Sequence, residues 1–280
     1  MFYYIDPLYL MIFFVTLLIS IGAQLFVSST YKKWSKIRNG SGLTGAEIGD
    51  RILRRTGLGT TGYYPDTAAQ SAQITRLAEL QRKGVINTEE FEAKKRQLEL
   101  EMSTVKPSSS SIQFQLVPGK LTDHYDPRSH TVRMSEGTAK YPSIASMAVV
   151  AHELGHAQQH EQNSIFIKMR NVLLPAVKIS PQIAFFCIFI GLFFNILGLF
   201  YIGIIFYGLM VIFAFVTLPV EIDASRRAIV LLRESGLMVA PEDEHGSKSV
   251  LRAAASTYIA AAVTALLQLL YYISIGRRRR

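Results

Sequence analysis

Charge-free apolar runs divide this chain before any motif is considered. Leu8–Val27 (LYLMIFFVTLLISIGAQLFV) carries no charge, and a helix of that length, rising about 1.5 Å per residue, crosses a bilayer core. No basic stretch precedes it, Asp6 stands there instead, and the run exceeds the apolar part of a secretory signal. An uncleaved anchor is expected. The second uncharged block, Ile179–Pro219, is too long for one span. It is expected to fold back on itself over 179–218, turning near Asn195–Gly198, where Asn and Gly supply turn chemistry. The third block, Ala253–Ile275, is Ala-rich and includes Gln268. It reads as a fourth span, with an amphipathic helix packed on the rest of the protein as the alternative.

Between these blocks the pattern changes period. Ile74, Leu77 and Leu80 share one helical side, and Gly84 closes that helix. Asn87 followed by Glu90 is a capping-box pattern, opening a second helix with a sparse stripe of Phe91, Leu98 and Met102. The flanks GLGTTGYYPDT and KPSSSS read as linkers. Residues 66–111 therefore look like a small helical hairpin inserted into a larger unit. Short alternating runs from Ile112 to Ser135, punctuated by Gly, Pro, Asp and Ser, predict a small antiparallel sheet. Ser143 then caps a buried helix over Ile144–Gln159, too short before polar residues arrive to be a span.

Composition sharpens this. The 280 residues are 49% hydrophobic and 18% charged, with net charge +9. The basic residues sit beside apolar runs and no nucleic-acid-binding signature is present, so the charge reads as membrane orientation. Lys32, Lys33, Lys36, Arg38, Lys168, Arg170, Lys178, Arg226 and Arg227 would all fall on one side, favouring the cytoplasm, with Arg277–Arg280 on the other if all four blocks cross. The tetra-Arg tail itself reads as an interfacial anchor. Cys187, the single cysteine, lies in an apolar run and excludes an intrachain disulfide or a Cys-based metal site.

The buried helix carries AHELGHAQQH. His152 and His156, four apart, face the same way and can share one cation. Glu153 lies beside that cation, where a general base belongs in a zinc hydrolase. His160 is eight residues beyond His152, about 12 Å along a continuous helix. One zinc with bonds near 2 Å cannot hold both, and HAQQH has no glycine turn to bring His160 back, so His160 reads as a surface residue. Glu221, in TLPVEIDASRRA, is the alternative third ligand: Pro219 is expected to break the chain and Glu221 to open a new helix. The same position also suits a glutamate serving only the helix dipole, and the residues alone leave both open. The topology permits the first, since two spans separate His156 from Glu221. His124 and Tyr125 in LTDHYDP are candidate hydrogen-bond donors to an oxyanion. Tyr258, at the start of the last block, is a weaker one. Strands near Gln113–Val117 or Thr131–Met134 could take an extended peptide along an edge.

The segments GLTGAEIGDRIL, GKLTDHYDPRSHTVRMSE, AHELGHAQQ, TLPVEIDASRRA and AAASTYIAAAVTALLQLL together resemble the YugP-like neutral zinc metallopeptidases of bacterial membranes, over nearly the whole chain except about Asp66–Ser111. The layout is also similar to the HtpX and CAAX-protease group of gluzincins, whose second motif is Glu-x-x-Ala-Asp. That resemblance gives Glu221 the ligand position and Ala224 the alanine. Ser225 stands where the group has aspartate, so Asp223 or Asp126 is expected to supply the carboxylate behind a histidine ligand. The insertion resembles a SHOCT module, which implies assembly into a homo-oligomer. The expected protein is thus a mainly α membrane protein with about four transmembrane helices and a small α+β zincin-like catalytic domain. That domain is assembled from residues 29–65, 112–178 and 219–250, with spans at 8–27, 179–218 and 253–275. It would sit in the plasma membrane, hold Zn2+ on His152, His156 and Glu221, and hydrolyse protein or peptide substrates. The alternative is a non-catalytic membrane scaffold with a vestigial zinc site.

Overall fold

The computed structural model describes residues 6–58, 81–82, 87–88, 90–94 and 112–279. In the insertion the expected apolar stripes at 74, 77, 80, 98 and 102 lie outside the described residues. The cap at its centre is visible: Asn87 Oδ1 accepts from Glu90 N (2.8 Å) and Glu90 Oε2 accepts from Asn87 N (3.0 Å).

Four helices are long and apolar enough to cross a membrane: α1 (Pro7–Trp34), α5 (Ile165–Phe193), α6 (Leu197–Glu234) and α7 (Pro241–Arg278). All four outrun the apolar blocks in the sequence, because each continues past its apolar part into the polar end of the molecule. α1 is started by Asp6, which accepts from Leu8 N at 3.0 Å, with Pro7 at the first helical position. α5 and α6 form the expected hairpin. Their turn has Asn195 at φ 57°, a left-handed conformation that asparagine tolerates. Close packing of the hairpin depends on small residues: a Cβ on Gly191 would lie 2.6 Å from Phe200 N, and one on Gly203 2.7 Å from Ile188.

Two expectations are corrected. Pro219 does not break the chain: α6 runs unbroken through it, so Glu221 lies inside a 38-residue helix rather than at an N-terminus. Proline removes one intrahelical donor, which a long packed helix tolerates. The helix-dipole reading of Glu221 therefore falls. The sheet is mixed rather than antiparallel. Its order is β1 (Gln113–Val117), β3 (Thr131–Ser135), β2 (His124–Asp126), with β1 parallel and β2 antiparallel to β3. Only the β2–β3 connection is a tight hairpin. The longer link from β1 carries the chain to the far edge, so Thr131–Met134 is central and offers no free edge.

The polar end is built around α4 (Ile144–Glu161), capped by Ser143 Oγ accepting from Ser146 N at 3.0 Å. Its Ile144, Met147, Ala151 and Leu154 are fully buried with Ile48 and Ile52 of α2 (Gly45–Thr56), Val132 of β3, and Leu231 and Leu232 of α6. A short helix, α3 (Glu136–Lys140), links sheet and α4. The far end is tied differently. Arg278 pairs with Asp6 (3.2 Å), and Arg279 donates to Asn195 Oδ1 (3.2 Å) and Leu192 O (3.4 Å). The basic tail thus lies beside the N-terminus of α1 and the α5–α6 turn. The last block runs the full length of the other spans, and its reading as a helix lying on the polar domain is set aside.

Candidate metal centre

α4 and α6 cross where Gly155 meets Ala224. A Cβ on Gly155 would stand 2.5 Å from Ala224 O, so only glycine allows this approach. It brings Glu221, one turn before Ala224, against the histidine face of α4. Glu221 Oε2 lies 3.4 Å from His152 Nε2 and 3.5 Å from His156 Nε2. It is buried and has no hydrogen-bond partner, a costly state for a carboxylate oxygen unless something else sits there. Zinc bonds of about 2.0–2.1 Å at tetrahedral angles separate their ligand atoms by about 3.3–3.4 Å. The two carboxylate–imidazole distances match that spacing, the three ligand atoms all lie within 4.8 Å of one another, and the set could hold a metal ion. Burial pushes the His156 pKa down, but hydrogen bonding to Glu221 and the charges of Glu153 and Glu221 outweigh it, so the pKa is raised.

The Nδ1 atoms are engaged behind the site. The amide nitrogen of fully buried Gln159 donates to Val220 O (2.8 Å) and Asp223 Oδ2 (2.7 Å), so its oxygen is turned to His156 Nδ1 at 3.0 Å. That oxygen can only accept, so Nδ1 carries a proton, and in the neutral ring Nε2 keeps its lone pair facing Glu221. Asp223 is fixed in turn by Arg227 Nε at 2.7 Å. Ser225 Oγ lies 3.3 Å from His152 Nδ1. The serine at the aspartate position therefore meets its histidine directly, while Asp223 reaches the other histidine through Gln159. Asp126 takes no part. It pairs with Arg133 (2.7 Å), whose guanidinium holds its carboxyl at about 2.

Glu153, also buried, accepts from the backbone N–H of Tyr125 at 2.8 Å. The edge strand β2 thereby aims the carboxylate. A pocket of about 250 Å³ opens here, lined by the three clustered residues, Glu153, Asp123, His124, Tyr125, Pro127, Ile167, Arg170, Asn171, Leu174 and Tyr258. Arg170 Nη1 stands 3.8 Å from Glu221 Oε1. Arg170, Asn171 and Gln159 escaped the sequence reading, since their partners are distant along the chain. A helical face of Ile167, Arg170, Asn171 and Leu174, placing a charged and an amide side chain among apolar ones, was the available signal.

His124 is exposed, its Nδ1 against Thr122 O at 2.8 Å. The Tyr125 phenol turns to His130 Nδ1 (3.1 Å). Burial, with Glu161 and Asp126, pushes that phenol's pKa well up and keeps it protonated. His160 is outside the metal cluster, as helix geometry requires, but it is not a free surface residue. Its ring is 5.2 Å from His130 and 6.1 Å from Tyr125, and its Nδ1 is buried. Burial and His130 lower its pKa.

The family model described as "Putative neutral zinc metallopeptidase" matches residues 9–62 and 105–277. The chain belongs to this family. The match takes in His152, His156 and Glu221 and all but the outermost residues of the four apolar helices. The interval between its two parts contains a match to SHOCT, the "Short C-terminal domain", at residues 72–99. The chain is also 32% identical over 257 residues to the "Putative membrane protease YugP" of Bacillus subtilis (strain 168), covering 92% of this chain and 91% of that protein. No solved structure matches it.

Proposed function

We propose that this neutral zinc metallopeptidase is a membrane-embedded endopeptidase of gluzincin type. His152, His156 and Glu221 hold the metal, Glu153 is the general base, and the polar end lies in the cytoplasm. The observation that carries the reading is the buried Glu221 Oε2, without a hydrogen bond, at ligand spacing from two imidazole Nε2 atoms. The excess of Lys and Arg at the polar end supports the orientation.

Zinc in such a site acidifies water toward a pKa of about 7 and polarises a carbonyl. The chain's own residues do the rest. Glu153, aimed by the Tyr125 amide, takes the proton of the attacking water and returns it to the leaving amine nitrogen. Burial of Glu153 against the metal cluster keeps bulk water from competing for that proton. A peptide lying in extended form beside β2 would reach Glu153 at Tyr125, whose backbone N–H is already donated to that carboxylate. Tyr258, facing Glu221 and Glu153 from α7, and Arg170 are donors suited to charge developing on the carbonyl oxygen. The Tyr125 phenol, directed to His130, is less suited.

Replacing Glu153 with Gln preserves its size and leaves the three ligand atoms in place. Purified Glu153→Gln protein should retain about one zinc per chain and lose cleavage by at least about a hundredfold. Retained cleavage would remove Glu153 from the mechanism. Zinc bound with no cleavage even by the unsubstituted protein would point to a scaffold instead.

A further inference from the structure

The apolar helices fix the depth of the pocket. The far end is marked by Asn195, Asp6 and Arg278–Arg279. A hydrocarbon core of about 30 Å takes about 20 helical residues. Counted from the α5–α6 turn it ends near Leu174 on α5, with exposed Lys178 one turn inside and long enough to reach back to the surface, and near Val216 on α6. Counted from Gly276 it ends near Ser256 on α7. The pocket residues Arg170, Leu174, Glu221 and Tyr258 all lie within about 7 Å of that plane. The hydrolytic site therefore opens at the headgroup level, neither in the aqueous phase nor in the core.

A second cleft lies deeper. It measures about 340 Å³ and is walled by Thr16, Leu17 and Ser20 of α1, Tyr207 of α6, and Thr264 and Gln268 of α7. Polar side chains at this depth can hydrogen-bond a neighbouring helix as lipid tails cannot. The hydroxyls of Thr16, Ser20 and Thr264 donate to carbonyls of their own helices, at 3.0, 2.8 and 3.0 Å, so their lone pairs remain available as acceptors. Two of the cleft's walls continue into the hydrolytic pocket: α7 carries Gln268 and Tyr258, and α6 carries Tyr207 and Glu221. Along α7 the separation is about 15 Å or less, which about ten residues of a docked helix cover.

We propose that the cleft between α1, α6 and α7 docks the transmembrane helix of a membrane-anchored polypeptide, whose stretch just outside the bilayer is then cut in the pocket. This rests on the reading of His152, His156 and Glu221 as a hydrolytic centre, and it names that centre's substrate class. The preferred helix carries Ser, Asn or small residues near its middle, where the cleft offers hydroxyl acceptors and the Gln268 amide, itself bonded to Tyr272. An all-leucine span gains nothing there over lipid.

The test uses the full chain in liposomes and two synthetic probes. One has a Leu/Ala span with central Ser and Asn followed by a flexible fluorogenic segment; the other has that segment alone. In a Cys187→Ser, Glu153→Gln background, Leu17→Cys and Thr264→Cys are oxidised with copper–phenanthroline against a cysteine in the middle of the span. Phe189→Cys, at a position 57% exposed on the outer surface of α5, is the control. Disulfides at Leu17→Cys and Thr264→Cys but not at Phe189→Cys, competed by cysteine-free probe, are expected. The active chain should cut the spanning probe within about five residues of the membrane, and Gln268→Leu should raise its KM about threefold. Equal crosslinking at Phe189→Cys, or none at Leu17→Cys, overturns the docking site. Crosslinking needs no hydrolysis, so specific crosslinks without cleavage would count against the hydrolytic centre and leave the cleft standing.

Discussion

Gln159 is the residue on which the orientation of the centre turns. It is the only side chain described that reaches His156 Nδ1, Val220 O and Asp223 together, so it sets the histidine's tautomer and ties α4 to α6. Gln159→Leu keeps the volume, removes all three bonds and leaves Asp223 with Arg227 alone. Zinc affinity should fall by about ten- to a hundredfold, as for other residues behind metal ligands. Competition with a zinc-chelating dye measures it, and an unchanged dissociation constant would make Gln159 a packing residue only. Ser225 bears on the other histidine through a longer contact of 3.3 Å, and Ser225→Ala should cost less. At this scale the sequence was informative only where chemistry and spacing coincide within one helix. His152, Glu153 and His156 stood out as candidates because four residues make a helical turn. Glu221 needed a family likeness, and Gln159, Ser225 and Arg170 could not be assigned roles. Their partners lie about 50 to 70 positions away, and only the α4–α6 crossing makes them neighbours.

Among elements, that crossing is held by contact between backbones. Gly155 on α4 faces Ala224 O on α6 with no room for a methyl group. Gly155→Ala should gain up to about 1 kcal/mol of helix propensity and lose about 1–3 kcal/mol to overpacking. The helices must separate by about 1 Å to relieve a 2.5 Å contact, and Glu221 moves with α6. Loss of bound zinc together with a lower Tm is the expected result, read by metal analysis and thermal unfolding. A variant that kept zinc and melted higher would show that the helices do not need this approach. The same crossing explains which elements were legible. The apolar blocks predicted the four long helices, which run on past them into the polar end, and Pro219 was taken as a break. Hydropathy marks where a helix leaves lipid, not where it stops, and α6 uses one rigid rod to cross the bilayer and deliver Glu221. The sheet's parallel pair was missed for a related reason: alternation identifies strands but carries no direction, and proximity in sequence favours a hairpin.

For the whole molecule the counting of spans has a consequence that the charges oppose. With four crossings, the tetra-Arg tail and the polar end lie on opposite faces, and both are basic. The polar end holds the larger number of Lys and Arg next to spans, which favours it for the cytoplasm. The tail is partly compensated where it emerges: Asp6 pairs with Arg278, and Arg279 donates to a carbonyl in the last turn of α5. Tyr9 and Tyr271, with ring centroids 5.5 Å apart, flank this end as interfacial aromatics do. The orientation can be tested with an impermeant maleimide on intact cells and on inverted vesicles, in a Cys187→Ser background. Lys120→Cys, in the exposed link between β1 and β2, should label only from the cytoplasmic face. A cysteine appended after Arg280 should label only from outside. Reversal of both results would keep four spans and move the catalytic end out of the cytoplasm. Labelling of both from one face would mean that α7 does not cross. Tyr258 and Gln268 could not then lie at different depths of one bilayer, and the route from cleft to pocket would be lost along with the topology.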